Sequence, residues 1–321
     1  MTIFIYEHLT SGALSETVFS AGLMHEGELM LASICQDLQA YGHHIAIMRD
    51  ERLPALPFST ERITTYPIQT KKQFNQTWLQ CQQRYDLFLI IAPETDLILF
   101  DLIQSLEQQS KTILNCRTEA ILLCTDKYRT YQQFKAYQIK TPVTFTADEW
   151  LCKDHHDHHQ WVLKPIDGAG CEDTYVYNSI DARHQLLTLN KDRFIVQPYI
   201  YGDSLSLRLF MTGEKSHLLS VNIQHVKKHQ QQLHLDAFEA QRFDMLSIEQ
   251  AQEIAEQIRM AIPGLWGFVG VDLIKTDNFI YVVEVNPRLT TTYAEPAMRS
   301  QTNPARLLNT HIQALNHDNT N

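Results

Sequence analysis

Three polar side chains end an otherwise apolar stretch, YVVEVNPRLTTT, at residues 281–292. Before them stand β-branched and aromatic residues of the kind that fill a buried strand. Glu284, Asn286 and Arg288 then follow at every second position, and Pro287 ends the strand because it has no backbone N–H to donate. Carboxylate and amide oxygens are hard ligands of the kind that Mg²⁺ and Mn²⁺ prefer. The pattern therefore predicts a strand that ends in a metal-binding group.

A second carboxylate, Asp272, lies twelve residues before Glu284. The tripeptide at 276–278 between them, Thr-Asp-Asn, has the composition of a hairpin turn. Folding the chain about this turn sets Asp272 opposite residues 283–284, with Asn286 on the same face. Two facing carboxylates repel each other unless a cation lies between them, so we expect a divalent metal site. The alternative is a hairpin whose polar side chains are satisfied by water.

A glycine-containing loop supplies a second signal, in WVLKPIDGAGCEDT at residues 161–174. A strand ends near Lys164, and Gly168 and Gly170 follow. Glycines let the backbone approach a phosphate closely, and a lysine offers a point charge. Two glycines at this spacing more often mark a simple turn. The phosphate interpretation gains support from the apolar strand that ends at Gln197, where the chain can offer hydrogen bonds to an adenine edge.

Residues 1–115 alternate between apolar strands and helices, which predicts a parallel sheet covered on both faces. The strands are expected at residues 3–6, 45–48, 87–92 and 112–114, and the helices at 22–41 and 96–109. Residues 54–70, which are rich in Pro and Thr, are interpreted as an irregular connection.

Two further sections are predicted, at residues 116–202 and 203–321. The second section begins with a helix and then has short antiparallel strands around the glycine loop, and the third has two pairs of strands separated by a helix. The expected strands are 142–146, 161–165, 175–177, 194–199, 205–211, 217–222, 267–274 and 279–285, and the helices are 125–137 and 247–262. Ser247 is the expected N-cap of the last helix, with Gln250 in capping-box position.

The overall composition excludes several classes of protein. A net charge of −10 argues against a nucleic-acid-binding surface, although a nucleotide needs only a few local cations. The six cysteines contain no CxxC pair, which is typical of reduced thiols in a cytosolic protein. Neither a signal peptide nor a membrane-spanning stretch is recognisable, so a soluble cytoplasmic protein is expected. The histidine-rich run at 154–159 is interpreted as a solvated loop.

Five motifs together resemble the ATP-grasp enzymes, and they are DKYRTYQQFKAYQIKTP, VLKPIDGAG, VQPYIYGDS, GFVGVDL and VVEVNPRL. Their order and spacing match over about residues 110–300, and the α/β start resembles the pre-ATP-grasp domain of that family. The resemblance implies a fold of mixed class, α/β and α+β, with an N-terminal parallel domain and a two-lobed ATP-binding module. It also implies an ATP-dependent ligase that joins a carboxylate to an amine through an acyl phosphate, using ATP and Mg²⁺ or Mn²⁺.

The resemblance implies roles for particular residues. The ATP-binding residues would be Lys127, Lys164, Gly168, Gly170, Gln197, Ile200 and Ser204. The metal ligands would be Asp272, Glu284 and Asn286, and Arg288 would face the transferred phosphoryl group or the acyl phosphate.

One departure from the family pattern affects the ribose contact. Many members have a glutamate for the ribose hydroxyls where this chain has Ser204, so that contact falls to Asp203 or Ser204. A third phosphate-binding lysine is common in the family. Lys227 and Lys228 both lie in the right region, in a segment otherwise expected to be an exposed loop, and the choice between them stays open.

Three stretches narrow the resemblance, and they are TEAILLCTDKYRTY, LLSVN and EVNPRLTTTY. They are similar to the tyramine–glutamate ligases of methanofuran and methylofuran synthesis. This implies joining of the γ-carboxylate of glutamate to the amine of tyramine, with release of ADP and phosphate. Two alternatives stay open, another ATP-grasp ligase of the amino-acid or peptide type and a nucleotide-binding module without catalysis. The partners expected are small molecules, and a homodimer is left open.

Glu7 stands at the carboxyl end of the first predicted strand, where open α/β sheets hold their ligands. It is a candidate for binding the ammonium of a substrate, with a solvated loop acid as the alternative interpretation. Glu94, after the strand at 87–92, is a similar candidate. An aromatic slot near Glu7 would favour tyramine, whereas polar or cationic surroundings would favour an amino acid.

Overall fold

The computed structural model of the chain describes residues 2–18, 21–153, 160–168, 171–295 and 303–318. Gly170 and the histidine-rich run at 154–159 lie outside these residues. Within the described part, no helix is long and apolar enough to cross a membrane.

A five-stranded parallel sheet forms the N-terminal part of the molecule. Its strands are β1 (Thr2–Glu7), β2 (His44–Asp50), β3 (Ile63–Ile68), β4 (Leu87–Ile91) and β5 (Thr112–Ile113), in the order β3-β2-β1-β4-β5. The helices are α1 (Ala21–Ala40), α2 (Lys71–Arg84) and α3 (Ile98–Gln108). Helix α1 covers one face of the sheet and α2 and α3 cover the other, so β1 and β4 are buried along their length. The predicted sheet with two covered faces is confirmed.

The interpretation of residues 54–70 as irregular is wrong, because β3 occupies Ile63–Ile68 and pairs with β2. This strand lies at the edge of the sheet and alternates poorly, with Thr64 and Thr65 both exposed. It also contains Pro67, which an edge strand tolerates because one side of its ladder is unpaired. An edge strand of this composition lacks the apolar run by which β1 and β4 are recognised.

A nine-stranded sheet occupies the following part of the described chain. Its strands are β6 (Phe145–Thr146), β7 (Trp161–Pro165), β8 (Tyr175–Tyr177), β9 (Phe194–Pro198), β10 (Asp203–Met211), β11 (Ser216–His229), β12 (Gln232–Glu239), β13 (Gly267–Lys275) and β14 (Ile280–Asn286). Their order is β14-β13-β10-β11-β12-β8-β7-β9-β6, and each described pairing is antiparallel. A single residue pair, Gln232 with Tyr175, joins β12 to β8, so two antiparallel halves meet along a narrow line.

Six helices accompany the nine-stranded sheet in the described residues. They are α4 (Thr118–Thr125), α5 (Lys127–Ala136), α6 (Ala147–Leu151), α7 (Ser179–Thr188), α8 (Ile248–Ala261) and α9 (Arg306–Asp318). Asp126 caps α5 by accepting hydrogen bonds from the backbone N–H groups of Tyr128 and Arg129, which fixes Lys127 at the first position of the helix. The capping box predicted for α8 is confirmed, with Ser247 and Gln250 in the expected roles.

The segment that holds Lys227 and Lys228 is not a loop. It is the outer part of β11, which pairs with β12 in a long hairpin, and Lys227 forms an ion pair with Asp236 at 2.7 Å. The hairpin turns at Gln230, whose φ of 56° is in the left-handed region. Polar side chains dominate here because the hairpin projects beyond the apolar core, and this polarity is what made the segment resemble a loop.

The β13–β14 hairpin has the predicted register. Asp272 stands opposite Glu284, and Gly270 stands opposite Asn286, with a bulge after Asp272. After β14 the chain turns back to the N-terminal part, where the hydroxyl of Tyr293 donates to Oδ2 of Asp37 in α1 at 2.7 Å. The chain that leaves the β13–β14 hairpin is thus anchored to the N-terminal part. We propose domain boundaries near residues 115 and 202, and they stay a prediction.

Candidate active site

A cleft of about 540 Å³ lies between the two halves of the nine-stranded sheet. Apolar side chains from both halves line it, among them Val162, Leu233 and Leu273. Eight of the predicted site residues also line it, and they are Lys127, Lys164, Gly168, Gln197, Ile200, Ser204, Asp272 and Glu284. A concave site with apolar walls and a few convergent charged groups is typical of nucleotide and small-molecule binding. The roles assigned to these residues stay predictions.

Asp272 and Glu284 are neighbours on one wall of the cleft, as their cross-strand register requires. Two amides donate to Asp272: Nε2 of Gln224 to Oδ1 at 2.9 Å, and Nδ2 of Asn286 to Oδ2 at 3.1 Å. Burial, followed by the negative charge of Glu284, raises the pKa of Asp272 to about 6. The two acids therefore share one space in which their negative charges oppose each other.

This set of donors fits a divalent metal ion. Two carboxylates and the Asn286 amide are hard oxygen ligands, which suit Mg²⁺ or Mn²⁺. Elsewhere in the described residues, no group of three or more His, Cys, Asp or Glu side chains is arranged to hold a metal. The metal-binding role of Asp272 and Glu284 stays a prediction, and the mutual repulsion of the two carboxylates is the electrostatic reason to expect a cation beside them.

Two lysines approach these carboxylates from the other half of the cleft. Nζ of Lys127, at the start of α5, lies 3.2 Å from Oε1 of Glu284 and also donates to the carbonyl of Gly168. Lys164 comes from β7 and is buried, and this burial lowers its pKa while the charge of Glu284 opposes the change. Lys127 therefore contacts both the glycine loop and the carboxylate of Glu284, and the phosphate-binding role assigned to it stays a prediction.

The remaining predicted ATP residues have fixed positions in the cleft. Nε2 of Gln197 donates to the hydroxyl of Thr144 at 2.8 Å, which orients this buried side chain. The hydroxyl of Ser204 donates to Oε1 of Gln224 at 3.1 Å and so joins the network around Asp272. The ribose contact assigned to Ser204 stays a prediction. Neither Lys227 nor Lys228 is among the residues that line the cleft.

Gln224 is a site residue that sequence reasoning missed. It lies in the part of β11 beyond the predicted strand at 217–222, and it touches both Ser204 and Asp272. The alternation of Asn222 and Gln224 on one face of an extended strand is the only signal that could have indicated it.

Arg288 is held by a residue of the N-terminal sheet. Its Nε donates to Oε2 of Glu94 at 2.9 Å, and both side chains are largely buried. Burial lowers the pKa of Arg288, but the charge of Glu94, its hydrogen bond and the charges of the two cleft acids together outweigh this effect, and the net shift is upward. The charges of Asp272 and Glu284 also raise the pKa of Arg288, so its guanidinium lies within electrostatic reach of both carboxylates.

Glu7 is neither solvated nor beside an aromatic slot. It is 2% exposed and accepts a hydrogen bond from the backbone N–H of Thr10 at 2.7 Å. Helix α1 closes over it at Gly27, where an added Cβ would lie 2.8 Å from Oε2. The aromatic cluster around Tyr6 and Trp78 lies on the opposite face of β1. Burial raises the pKa of Glu7 to about 7, so this acid is enclosed rather than open to a ligand.

The chain matches two known domain families in sequence. Residues 124–292 match the family model of the ATP-grasp domain, and residues 43–121 match that of the pre ATP-grasp 3 domain. The first match alone covers more than half of the 321 residues. The chain belongs to the ATP-grasp family, in which the nine-stranded sheet forms the two-lobed ATP-binding module.

Curated relatives and a solved structure extend these matches over most of the chain. The tyramine–L-glutamate ligase of Methanocaldococcus fervens is 29% identical over 293 residues, covering 91% of this chain and 88% of that protein. The enzyme of the same name from Methanocaldococcus jannaschii is 27% identical, covering 87% and 81%. An ATP-grasp superfamily protein from Archaeoglobus fulgidus superposes with a TM-score of 0.65 at 23% identity, covering 92% and 83%. At this level of identity, the similarity to the Archaeoglobus fulgidus protein shows a shared fold and nothing more.

Family and relatives together define the reaction class. The chain is an ATP-dependent carbon–nitrogen ligase that joins a carboxylate to an amine. The interpretation as a nucleotide-binding module without catalysis is set aside.

Proposed function

We propose that this ligase joins the γ-carboxylate of glutamate to the amine of tyramine, giving γ-glutamyltyramine, ADP and phosphate. The observation that carries the chemistry is the cross-strand pair of Asp272 and Glu284, with the ammonium of Lys127 at 3.2 Å from Glu284 in one cleft. The two relatives named tyramine–L-glutamate ligase support the choice of substrates, because their similarity spans about nine tenths of the chain.

The reaction proceeds in two steps that conserve atoms and charge. A carboxylate oxygen of glutamate bonds to the γ-phosphorus of ATP, and the bond from that phosphorus to the β,γ-bridging oxygen breaks, which releases ADP. The amine nitrogen then bonds to the acyl carbon, and the bond from this carbon to the phosphate oxygen breaks. Hydroxide is a poor leaving group and phosphate a good one, so the first step makes the second feasible.

The side chains of the cleft supply position and charge rather than a nucleophile. Lys127 and Lys164 neutralise phosphate oxygens, and Arg288 faces the transferred phosphoryl group. Asp272 and Glu284, with Asn286, would hold Mg²⁺ or Mn²⁺, which would neutralise charge on the phosphates of ATP. The glycine loop around Gly168 covers the phosphates and keeps water from the acyl phosphate.

A second candidate is a ligase that takes an amino acid as its amine. It stays open because no aromatic slot for tyramine lies beside Glu7, which is enclosed by α1, while the aromatic cluster lies on the other face of β1. The two candidates share every step in the cleft and differ only in the nucleophile.

Product analysis over a panel of amines tests the proposal. The protein is incubated with Mg-ATP and glutamate, and with tyramine, phenethylamine or amino acids in turn, while phosphate release and product mass are followed. The proposal predicts that tyramine gives the fastest release together with the mass of γ-glutamyltyramine. Faster turnover with an amino acid would establish the second candidate, and phosphate release without any ligation product would refute both.

A further inference from the structure

Glu94 has two carboxylate oxygens in different surroundings. Oε2 accepts a hydrogen bond from Nε of Arg288 at 2.9 Å, whereas Oε1 is buried and has no hydrogen-bond partner among the residues that the structure describes. Only 6% of Glu94 is exposed. A buried oxygen without a donor costs about 1–3 kcal/mol, so natural structures seldom leave one in this state. We therefore expect a hydrogen-bond donor that is not part of the described chain to lie beside this oxygen.

The loop that carries Glu94 connects three parts of the site. Asp96 and Leu97 have φ values of 53° and 60°, two consecutive residues in the left-handed region, which costs about 1 kcal/mol or more at each. The backbone N–H of Asp96 donates to Oδ2 of Asp167 at 3.0 Å, and Asp167 directly precedes Gly168 of the glycine loop. One strained loop thus touches the base of the glycine loop and, through Glu94, holds Arg288.

The chemistry of the reactants narrows the choice of donor. ATP and the carboxylic acid are both anionic, and a carboxylate oxygen repels them. The α-ammonium of glutamate lies at the other end of that substrate from the reacting γ-carboxylate. The amine is therefore the reactant that brings N–H groups and, when protonated, a positive charge to the acyl phosphate. We propose that Oε1 of Glu94 receives the nitrogen of the amine substrate and holds it beside Arg288, where the acyl phosphate forms. The identity of that amine, tyramine, is taken from the proposed function, so the inference rests on that function.

This placement accounts for the protons of the second step. The amine arrives as R–NH₃⁺ and first gives one proton to Oε1 of Glu94, which frees the lone pair of the nitrogen. The neutral nitrogen then bonds to the acyl carbon while the bond from that carbon to phosphate breaks. The nitrogen keeps one hydrogen in the amide. Of the other two protons, one goes to the departing phosphate and one passes through Oε1 of Glu94 to solvent. No other reactant is needed, and the guanidinium of Arg288 keeps the carboxylate oriented throughout.

Glu7, the other candidate for this task, is placed less suitably. An added Cβ at Gly27 would lie 2.8 Å from Oε2 and 2.9 Å from Oε1, so the wall of α1 stands against both oxygens. Its Oε2 already accepts from the backbone of Thr10. Glu94 differs in having one oxygen committed to Arg288 and the other without a partner.

A partial reaction separates amine binding from positioning of Arg288. Hydroxylamine is largely uncharged at neutral pH and traps an acyl phosphate as the hydroxamate, so it needs no carboxylate to hold an ammonium. Glu94→Gln keeps the size of the side chain and an oxygen for Arg288. We expect it to lower kcat/KM for tyramine by about 10²-fold while hydroxamate formation from glutamate and Mg-ATP stays within about threefold. Asp101→Asn, at an exposed position of α3, is the matched control and leaves both rates unchanged.

Each outcome decides the assignment. An equal loss of both rates in Glu94→Gln means that Glu94 acts only by positioning Arg288, and it overturns the inference. Unchanged rates with both nucleophiles mean that Oε1 meets only water, which also overturns it. If the unaltered enzyme forms the hydroxamate but no amide with tyramine, the proposed amine is wrong. The same comparison of Glu94→Gln is then made with the amine that the panel identifies.

Discussion

Two buried acids of this molecule have raised pKa values, yet only one of them lines a cleft. Burial raises the pKa of Asp272 to about 6 and that of Glu7 to about 7. Asp272 stands beside Glu284 on the cleft wall, with lysines approaching from the facing half. Glu7 is enclosed by α1, with Gly27 against its carboxylate. Similar upward shifts in pKa thus occur for an acid on a cleft wall and for an acid enclosed beneath a helix.

The difference shows that a raised pKa reports burial, whereas function depends on what surrounds the acid. Around Glu7 the largest cause is desolvation, and backbone and hydroxyl hydrogen bonds from Thr10 partly offset it. Around Asp272 the second cause is another carboxylate, and no structural benefit comes from placing two acids together. A paired acid site is therefore expected to need a cation, while an isolated buried acid affects only folding.

The largest effect on activity is expected when either of the paired acids, Asp272 or Glu284, loses its charge. Asp272→Asn or Glu284→Gln should each lower kcat by about 10²–10³-fold, because each removes a metal ligand at the transferring phosphates. Phosphate release measured over a range of Mg²⁺ concentrations checks this, with Asp101→Asn as the control of matched chemistry. If either variant lost less than about threefold at saturating Mg²⁺, the cross-strand pair would not be the metal site.

A third buried acid, Glu94, differs from both because it has a cationic partner. Arg288→Met removes that partner and leaves the carboxylate buried, so we expect a loss of about 4 kcal/mol in the free energy of unfolding. Adding Glu94→Gln to that variant should recover part of the loss, because the uncompensated charge is then gone. Urea unfolding of the two single variants and the double variant measures this coupling. Strictly additive losses would show that the pair contributes no interaction energy.

The parts of the site that could be predicted from sequence are those fixed by residues that lie close together in the chain. The turn at 276–278 and the interval from Asp272 to Glu284 determine which residues face each other, so the β13–β14 hairpin has the predicted register. The strands β7 and β8 also have their predicted bounds, since each is a short apolar run between turn residues.

The parts that could not be predicted depend on contacts between distant segments. Glu94 and Arg288 are 194 residues apart in the chain, and no local pattern indicates that they meet. Gln224 reaches Asp272 only because β11 continues beyond its apolar part into a polar hairpin. Nor did the sequence indicate that Glu7 is enclosed, because that depends on how closely α1 approaches β1 at Gly27.

The isolated acid should make folding stability depend on pH. The pKa of Glu7 rises from an ordinary value of 4.5 to about 7 in the folded state. Between these pH values the folded state keeps a proton that the unfolded state releases, so the contribution of Glu7 is fully present below pH 4.5 and is lost as pH rises through 7. The loss amounts to about 3 kcal/mol. Urea unfolding of the unaltered protein and of Glu7→Gln should show their difference changing by this amount, and a constant difference from pH 4.5 to 7.5 would contradict it.

The smallest expected effect tests how tightly α1 encloses Glu7. Gly27→Ala places a methyl group 2.8 Å from Oε2 of Glu7, so α1 or the carboxylate must shift, at a cost of about 2 kcal/mol. Gly22→Ala in the same helix is the matched control, because nothing lies within 4 Å of its Cβ position. There alanine should leave stability unchanged or raise it by less than about 1 kcal/mol. Equal effects of the two substitutions on the urea midpoint would mean that α1 does not press on Glu7. The contrast between Glu7 and the acids of the cleft would then rest on the low exposure of Glu7 and not on contact with α1.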